Sequence, residues 1–477
     1  MNMRVAIIGG GIAGLAAAYE LELAHRSGAA VEYELFEAGP RLGGVISSSL
    51  VDGTVIERGP DSFLTEKPAA AELCRELGLE SSLVPSNDAE RKTFILVRNR
   101  LVALPDGLIF LVPTKLVPMA LSPLFGWGTK LRMLLEFTRG SGGRGSDESD
   151  ESVAAMVRRH YGQEAVDRLA DPLLSGIYGG ESEQLSAQSV LPRMVELETK
   201  YGSLTRGVLA GMRARKSAAN GKTPPPQPLF TTLRFGLQQL VDALVARLDP
   251  ARVHLMTSVS AVNRLGDRWR VLYGGSSSSF DAVVIATPAW AAAGIVQPAD
   301  ARLSAELGAI PYSSSVTVNL VYDGADLDPL PEGFGFLVPA VENRAILACT
   351  FIHRKFPGRT AAGKSVIRAF LGGAHHAALL HDTDATLRDL VRRELFEILH
   401  ISAVPELVEV QRWPRAMAQY AVGHAARQKH IKSRLKEMPG LHLVGNAYDG
   451  IGISDCIRLG RTAARELTAR AVPEPVI

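Results

Sequence analysis

The sequence predicts an α/β protein of several domains, and three observations carry that prediction. At residues 5–23 an apolar, β-branched run breaks into three glycines and resumes as an Ala/Leu-rich helical segment. A second strand-like run, "VEYELFEA", ends in a carboxylate. Further strand patterns alternate with helical ones and are separated by two polar, low-complexity breaks. A length of 477 residues also favours more than one core.

Val5–Ile8 are consecutive apolar residues, as a parallel strand buried on both faces requires. In "GGGIAG", Gly9, Gly11 and Gly14 hold the GxGxxG spacing, with Gly10, Ile12 and Ala13 between them. In that pattern the first glycine allows the turn, the second lets backbone approach a pyrophosphate, and the third lets helix and strand pack closely. The free N–H groups and positive end of the helix then face the phosphates. A secretory signal would need a small-residue cleavage site before charged residues begin, and none is present. Glu37 closes the second strand about 20 residues past the glycines, where a carboxylate accepts ribose hydroxyls. Arg41 and the pair Gly43 and Gly44 follow in "EAGPRLGG", a basic, glycine-rich bend able to return over the pyrophosphate. Glycine loop, acid and RxGG together resemble the glutathione-reductase type of FAD fold.

The breaks are "RGSGGRGSDESDES" (139–152) and "RKSAANGKTPPPQP" (215–228), whose Gly, Ser and Pro content marks loops or connections. "GGSSSS" (274–279) is expected to join the strands "RWRVLY" and "FDAVVIAT" as a hairpin. Before the first break, residues 100–137 are apolar, dotted with Pro and Lys/Arg, and too interrupted to span a bilayer. They read either as buried helices or as an interfacial patch with Trp127 as its anchor.

Near the C-terminus stand "RWPRAMAQYAVGH" and "LHLVGNAYDGIGISDCIRLGRTAA", a short strand, a glycine-rich loop and a helix. "GNAYDGIGISDCI" resembles the C-terminal flavin motif of oxygen-dependent protoporphyrinogen and coproporphyrinogen oxidases, and "ERGPDSF" (57–63) resembles that family's GPxSF element. With the opening fingerprint, the GLQQL helix, the GFGFLVP strand and the RWP element, the similarity runs along nearly the whole chain.

The resemblance implies a glutathione-reductase-type, Rossmann-like FAD domain assembled from 1–88, 228–292 and 411–477. It adds an α+β substrate domain over 89–100 and 293–410, and a helical, membrane-associating domain over 101–227. It places FAD against Gly9–Gly14, Glu37, Arg41, Gly44, Gly59, Pro60, Asp61, Ser62, Val259, Trp413, Asn446, Ile451, Gly452 and Ile453. Asp61 faces the substrate side as the catalytic candidate, and Leu337 and Phe356 match apolar residues that sandwich the macrocycle. Plant-type members carry an arginine for a propionate where this chain has Thr93, leaving Arg91 and Lys92 just upstream as the nearby cations.

The implied reaction oxidises protoporphyrinogen IX or coproporphyrinogen III to the porphyrin, with O2 as acceptor and H2O2 as product. No cysteine follows Trp413 at the spacing that monoamine oxidases use to attach flavin, so FAD is expected to be non-covalent. The alternatives are an amine oxidase or carotenoid desaturase on the same scaffold, or a non-catalytic protein like the GDP-dissociation inhibitors. Against the last stand the intact glycine loop and C-terminal loop.

A net charge of +2 with Lys and Arg spread along the chain gives no footprint for nucleic acid. Cys74, Cys349 and Cys456 form no CxxC pattern, which favours a reducing compartment and argues against a zinc site. The expected setting is cytoplasmic, with peripheral contact on the inner face of the cell membrane and a homodimer left open.

Overall fold

The computed structural model describes residues 2–109, 111–138, 150–218, 227–327, 330–373 and 376–471. Most of each low-complexity break therefore lies outside the described residues. The first strand, Met3–Ile8, is central in a five-stranded sheet whose order is Val253–His254, Val31–Phe36, Met3–Ile8, Ala282–Ile285 and Leu441–Leu443, all parallel. Both faces are covered, which is why its residues read as one unbroken apolar run. The helix Ile12–Arg26 lies along the C-terminal helix Ile453–Ala471, and a Cβ at Gly460 would stand 2.1 Å from the Ala13 carbonyl oxygen. Two helices built around such a contact pack backbone to backbone. The chain's two ends thereby share one layer.

A seven-stranded sheet forms the second body, in the order Leu407–Ala418, Tyr312–Asp323, Lys364–Gly372, Ile346–Phe351, Gly335–Leu337, Thr93–Val97 and Arg100–Ala103. Its pairings are antiparallel except where Gly335–Leu337 meets Thr93–Val97. The strand Leu407–Ala418 runs through the expected 410/411 boundary, so Trp413 stands on this sheet. At the other side the sheet continues to Ala103, past the expected boundary at residue 100. Helical structure then begins at Leu116 and extends to Ala218, around a separate apolar core that includes Met133, Met156, Tyr161 and Leu169.

The serine run corrects the hairpin reading. Gly274 and Gly275 take positive φ of 51° and 79°, the geometry of a two-residue turn, so pairing resumes at once and Ser276–Phe280 becomes the partner of Arg268–Tyr273. The "AVVI" run goes instead to the five-stranded sheet.

Candidate FAD and substrate site

Gly9, Gly10, Gly11 and Gly14 each do something different. Gly9 has φ 106°, and a Cβ on Gly14 would stand 1.9 Å from the Gly9 carbonyl oxygen, so strand and helix meet only if Gly14 has no side chain. A Cβ on Gly10 would strike Leu42 Cδ2 at 2.4 Å. Gly11 alone meets nothing within 4 Å: it faces open space at the first turn of a helix that has no side-chain cap. That open cradle, at a helix N-terminus whose first N–H groups have no partner within the helix, fits a pyrophosphate. Ile12 and Ala13, the next two residues, are buried.

The remaining residues of this end close around the cradle. Glu37 accepts hydrogen bonds from the N–H groups of Gly10 and Gly39, both at 2.7 Å, one on each carboxylate oxygen. Each oxygen keeps a lone pair for a ribose hydroxyl. Arg41 donates to the carbonyls of Leu42 (3.2 Å), Gly44 (2.6 Å) and Ile46 (3.0 Å), which clamps the RxGG bend in place. The Gly43 N–H in turn reaches the Gly10 carbonyl at 2.8 Å, and a Cβ on Gly44 would lie 3.1 Å from Gly11 Cα. The Thr257 N–H donates to the Glu37 carbonyl, which brings Val259 to the same end as the acid.

The C-terminal loop opens at the carboxyl edge of Leu441–Leu443, two strands from Met3–Ile8 and at the same edge as the glycine cradle. Tyr420 OH donates to the Asn446 carbonyl at 3.0 Å and accepts from the Gly450 N–H at 2.9 Å; Gln428 holds the Ala447 carbonyl at 3.1 Å. The Asn446 amide itself donates to Ala416 O at 3.1 Å, fastening the loop to the seven-stranded sheet. Ile451, Gly452 and Ile453 lead into the C-terminal helix, where Asp455 accepts from the Gly452 N–H and from Lys67.

The 57–62 turn lies between the two sheets. Trp413 Nε1 and Thr317 Oγ1 both donate to the Arg58 carbonyl at 2.8 Å, and Asn319 donates to the Glu57 carbonyl at 3.0 Å. A Cβ on Gly59 would stand 1.8 Å from the Val45 carbonyl oxygen, so the turn abuts the RxGG bend directly. Pro60 leads to Asp61, whose carbonyl accepts from Thr232 Oγ1 at 2.7 Å. The Asp61 carboxylate accepts from Ser62 Oγ at 2.6 Å and takes both oxygens to Lys355 Nζ, at 3.0 and 3.2 Å. Burial opposes the charge on Asp61, but Lys355 and then Arg368, 4.0 Å away, overcome it and hold the carboxyl well below the usual range. Behind this pair Arg359 is bonded to Glu57, and Arg368 to the Gly59 carbonyl.

Lys355, Arg359 and Arg368 are the residues that sequence reasoning missed. The sign of the first two in the sequence was the basic, apolar-bracketed "HRKFPGR", a pattern that a solvated loop also shows, while Arg368 stands alone inside the apolar strand run Lys364–Gly372. Phe356, within that segment, is fully buried, its ring centroid 5.0 Å from Lys355 Nζ and 5.7 Å from Arg359 Cζ. It braces the two cations and has no exposed face. Leu337 is half-buried and packs against the helical region. Arg91 and Lys92, both exposed, form ion pairs with Asp88 (3.7 Å) and Glu332 (3.4 Å).

A family model described as flavin containing amine oxidoreductase matches residues 12–468. The chain belongs to that family. Its cofactor is FAD. Among relatives of this family, the coproporphyrinogen III oxidase of Bacillus subtilis (strain 168) is 34% identical over 97% of each chain. The protoporphyrinogen oxidase of Homo sapiens is 30% identical over 97% of this chain and 98% of the relative. A crystal structure of a candidate protoporphyrinogen oxidase from Exiguobacterium sp. 255-15 superposes with a TM-score of 0.85 at 32% identity, covering 98% of this chain and 99% of the other.

Cys74, Cys349 and Cys456 are buried and free. Cys456, on the C-terminal helix, is pushed up to about 12 by burial, so it is a thiol and a poor nucleophile at neutral pH. Among the described residues no group of His, Cys, Asp and Glu is placed to hold a metal. No helix among them is long and apolar enough to cross a membrane.

Proposed function

We propose that this protein oxidises a porphyrinogen to the porphyrin, with coproporphyrinogen III as the preferred substrate and protoporphyrinogen IX as the competitor. The observation that carries the reading is the full-length match to oxidases named for these substrates, supported by a 57–62 turn that carries a charged Asp61 bonded to Lys355. Gly9–Gly14, Glu37, the Arg41–Gly44 bend, Val259 and the 446–453 loop hold FAD non-covalently, with Gly59, Pro60, Ser62 and Trp413 along its other end. When bound, FAD supplies the two-electron acceptor and passes the electrons to O2. The protein's own part is to orient the macrocycle, keep water out, and offer Asp61 as the polar group on the substrate side.

The test is anaerobic bleaching of the yellow holoprotein by coproporphyrinogen III and by protoporphyrinogen IX, measured side by side. Faster bleaching by the first supports the reading; bleaching by neither overturns it, and preference for the second reverses the substrate order. Asp61→Ala should lower turnover while FAD stays bound; unchanged turnover removes Asp61 from the mechanism. Acid precipitation should release the colour into the supernatant.

The reading includes a bilayer contact. Val117, Leu121 and Trp127 are 69%, 80% and 77% exposed, Leu131 and Leu135 continue the face, and Lys130 lies 4.7 Å from the centre of the Trp127 ring. An apolar face with basic residues at its rim suits the headgroup region of an anionic membrane.

A further inference from the structure

We infer that Lys355 is a positioning residue of the proposed reaction, holding Asp61 as a fixed anionic acceptor for the pyrrole N–H donors of a porphyrinogen. This deepens the functional reading and rests on it. Lys355 ends the short helix Ile352–Lys355 and is 8% exposed, between the rings of Phe230 and Phe356 at 4.4 and 5.0 Å. Its ammonium touches both carboxylate oxygens of Asp61 and approaches Ser62 Oγ at 3.5 Å. Burying an ammonium and a carboxylate is costly, and an apolar pair of similar volume would serve packing as well or better. The arrangement is therefore explained by what the charge on Asp61 does.

The geometry says what that is. Thr232 holds the Asp61 carbonyl, and Ser62 and Lys355 occupy Oδ1, while among the described residues Oδ2 meets only Lys355 within hydrogen-bond distance. One lone pair of Oδ2 remains, on a side chain that is 14% exposed. An ionised carboxylate accepts only; a protonated one would present a competing donor. The centre of a porphyrinogen carries N–H donors and no acceptor, whereas the oxidised ring turns half of its nitrogens into acceptors. A permanently anionic Asp61 thus favours the reduced ring over the oxidised one. The charged groups facing it are Lys355 from the short helix and Arg368 from the strand Lys364–Gly372, with the Arg359–Glu57 pair behind them.

The experiment uses the full-length, FAD-loaded protein with Lys355→Met, Lys355→Arg, Asp61→Asn and the Asp61→Asn/Lys355→Met double variant. Lys355→Met should keep FAD and lose kcat on coproporphyrinogen III by on the order of 10²-fold. It should also gain an acidic limb in its pH profile, because a buried carboxylate deprived of its ammonium titrates above its ordinary value. Lys355→Arg should restore activity and remove the limb. In the Asp61→Asn background the Lys355→Met change should cost nothing further. An undiminished kcat in Lys355→Met, or an equal loss with and without Asp61, overturns the inference.

Melting temperature against pH supplies a readout that needs no substrate. The wild-type pair stabilises the fold above the ordinary aspartate pKa and is lost only as pH falls through the lowered native one. In Lys355→Met the deficit should be largest near neutrality and shrink on acidification, as protonation removes the unpaired charge. If wild type bleaches with no porphyrinogen, the functional reading fails while the melting series still tests the Lys355–Asp61 linkage; a deficit independent of pH sinks the linkage whatever the substrate proves to be.

Discussion

Two clusters of buried charge, one at the 57–62 turn and one inside the helical region, both set carboxylates against cationic side chains and end in different states. In the helical region His160 is bonded through Nδ1 to Glu136 at 2.9 Å and through Nε2 to Glu198 at 2.8 Å. Glu136 also accepts from Ser203 Oγ and from the N–H groups of Leu204 and Thr205, at 3.0, 2.7 and 3.2 Å, so it caps the helix that starts there. Glu198 is bonded to Arg159, which reaches on to Glu151. Four helices are tied by a network whose polar atoms answer one another. At the 57–62 turn three cationic side chains face two carboxyl groups, and Arg359 Nε and Nη1 and Arg368 Nε find no acceptor among the described residues. A closed network fastens; an open one with surplus charge retains capacity for a ligand.

The comparison breaks most easily at His160. Substituting His160→Leu removes the cation shared by two buried carboxylates and should cost about 3–5 kcal/mol in urea unfolding, while kcat per bound FAD in the folded fraction stays within error. A comparable loss of kcat would mean that the helical cluster also serves the site. The pH dependence has a definite sign. Burial lowers the His160 pKa, but the hydrogen bonds its ring N–H groups donate to both carboxylates outweigh that, so the net shift is upward; burial likewise opposes the charge on Glu198, but His160 and Arg159 hold it down to about 2. The histidine contribution is complete below its ordinary pKa and disappears as pH rises through the raised one; the Glu198 contribution is present above the ordinary carboxylate range and disappears as pH falls through about 2. NMR of isotope-labelled histidine should show His160 protonated on both nitrogens at pH values where an unperturbed imidazole is neutral.

Arg368 gives an intermediate effect and sharpens the other side of the comparison. Its guanidinium holds the Gly59 carbonyl and lies 4.0 Å from Asp61. Arg368→Met removes a charged donor to the turn beside the RxGG bend, which is worth about 1.5–3 kcal/mol. The loss should appear as weaker FAD retention, by about tenfold or more, in a flavin-fluorescence titration. Unchanged retention would separate the 57–62 turn from the cofactor.

How much of this could be read in the chain follows from distance along it. The glycine cradle, Glu37 and the RxGG bend lie within residues 9–44, and their spacing alone specifies a strand, a turn and a helix N-terminus. The C-terminal loop was legible because its glycines interrupt a strand and a helix within one short window. Asp61 and Lys355 are 294 residues apart, and Glu57 and Arg359 302 apart, so no local period links them. His160 is hidden in the same way, 24 and 38 residues from its two carboxylates. The serine strand was missed because serine has little β preference; two glycines at positive φ decided the pairing.

The smallest effect on stability is expected at Trp127. The helix Trp127–Glu136 joins the two themes of the helical region, since Met133 and Glu136 face its core while Trp127, Leu131 and Leu135 face outward. A side chain 77% exposed makes few contacts to lose, so Trp127→Ser should change unfolding free energy by less than about 0.5 kcal/mol. Its effect should fall on partition instead: co-sedimentation with vesicles containing phosphatidylserine should drop, and the residual binding should weaken further as salt rises, because Lys115, Lys130 and Arg132 remain to attract the anionic surface. His160→Leu should give the reverse pattern, a large stability loss with vesicle binding retained wherever the helix stays folded. If Trp127→Ser instead destabilises the protein and leaves partition unchanged, the apolar face is covered by protein in solution, and the outward and inward sides of this helix have been assigned the wrong way round.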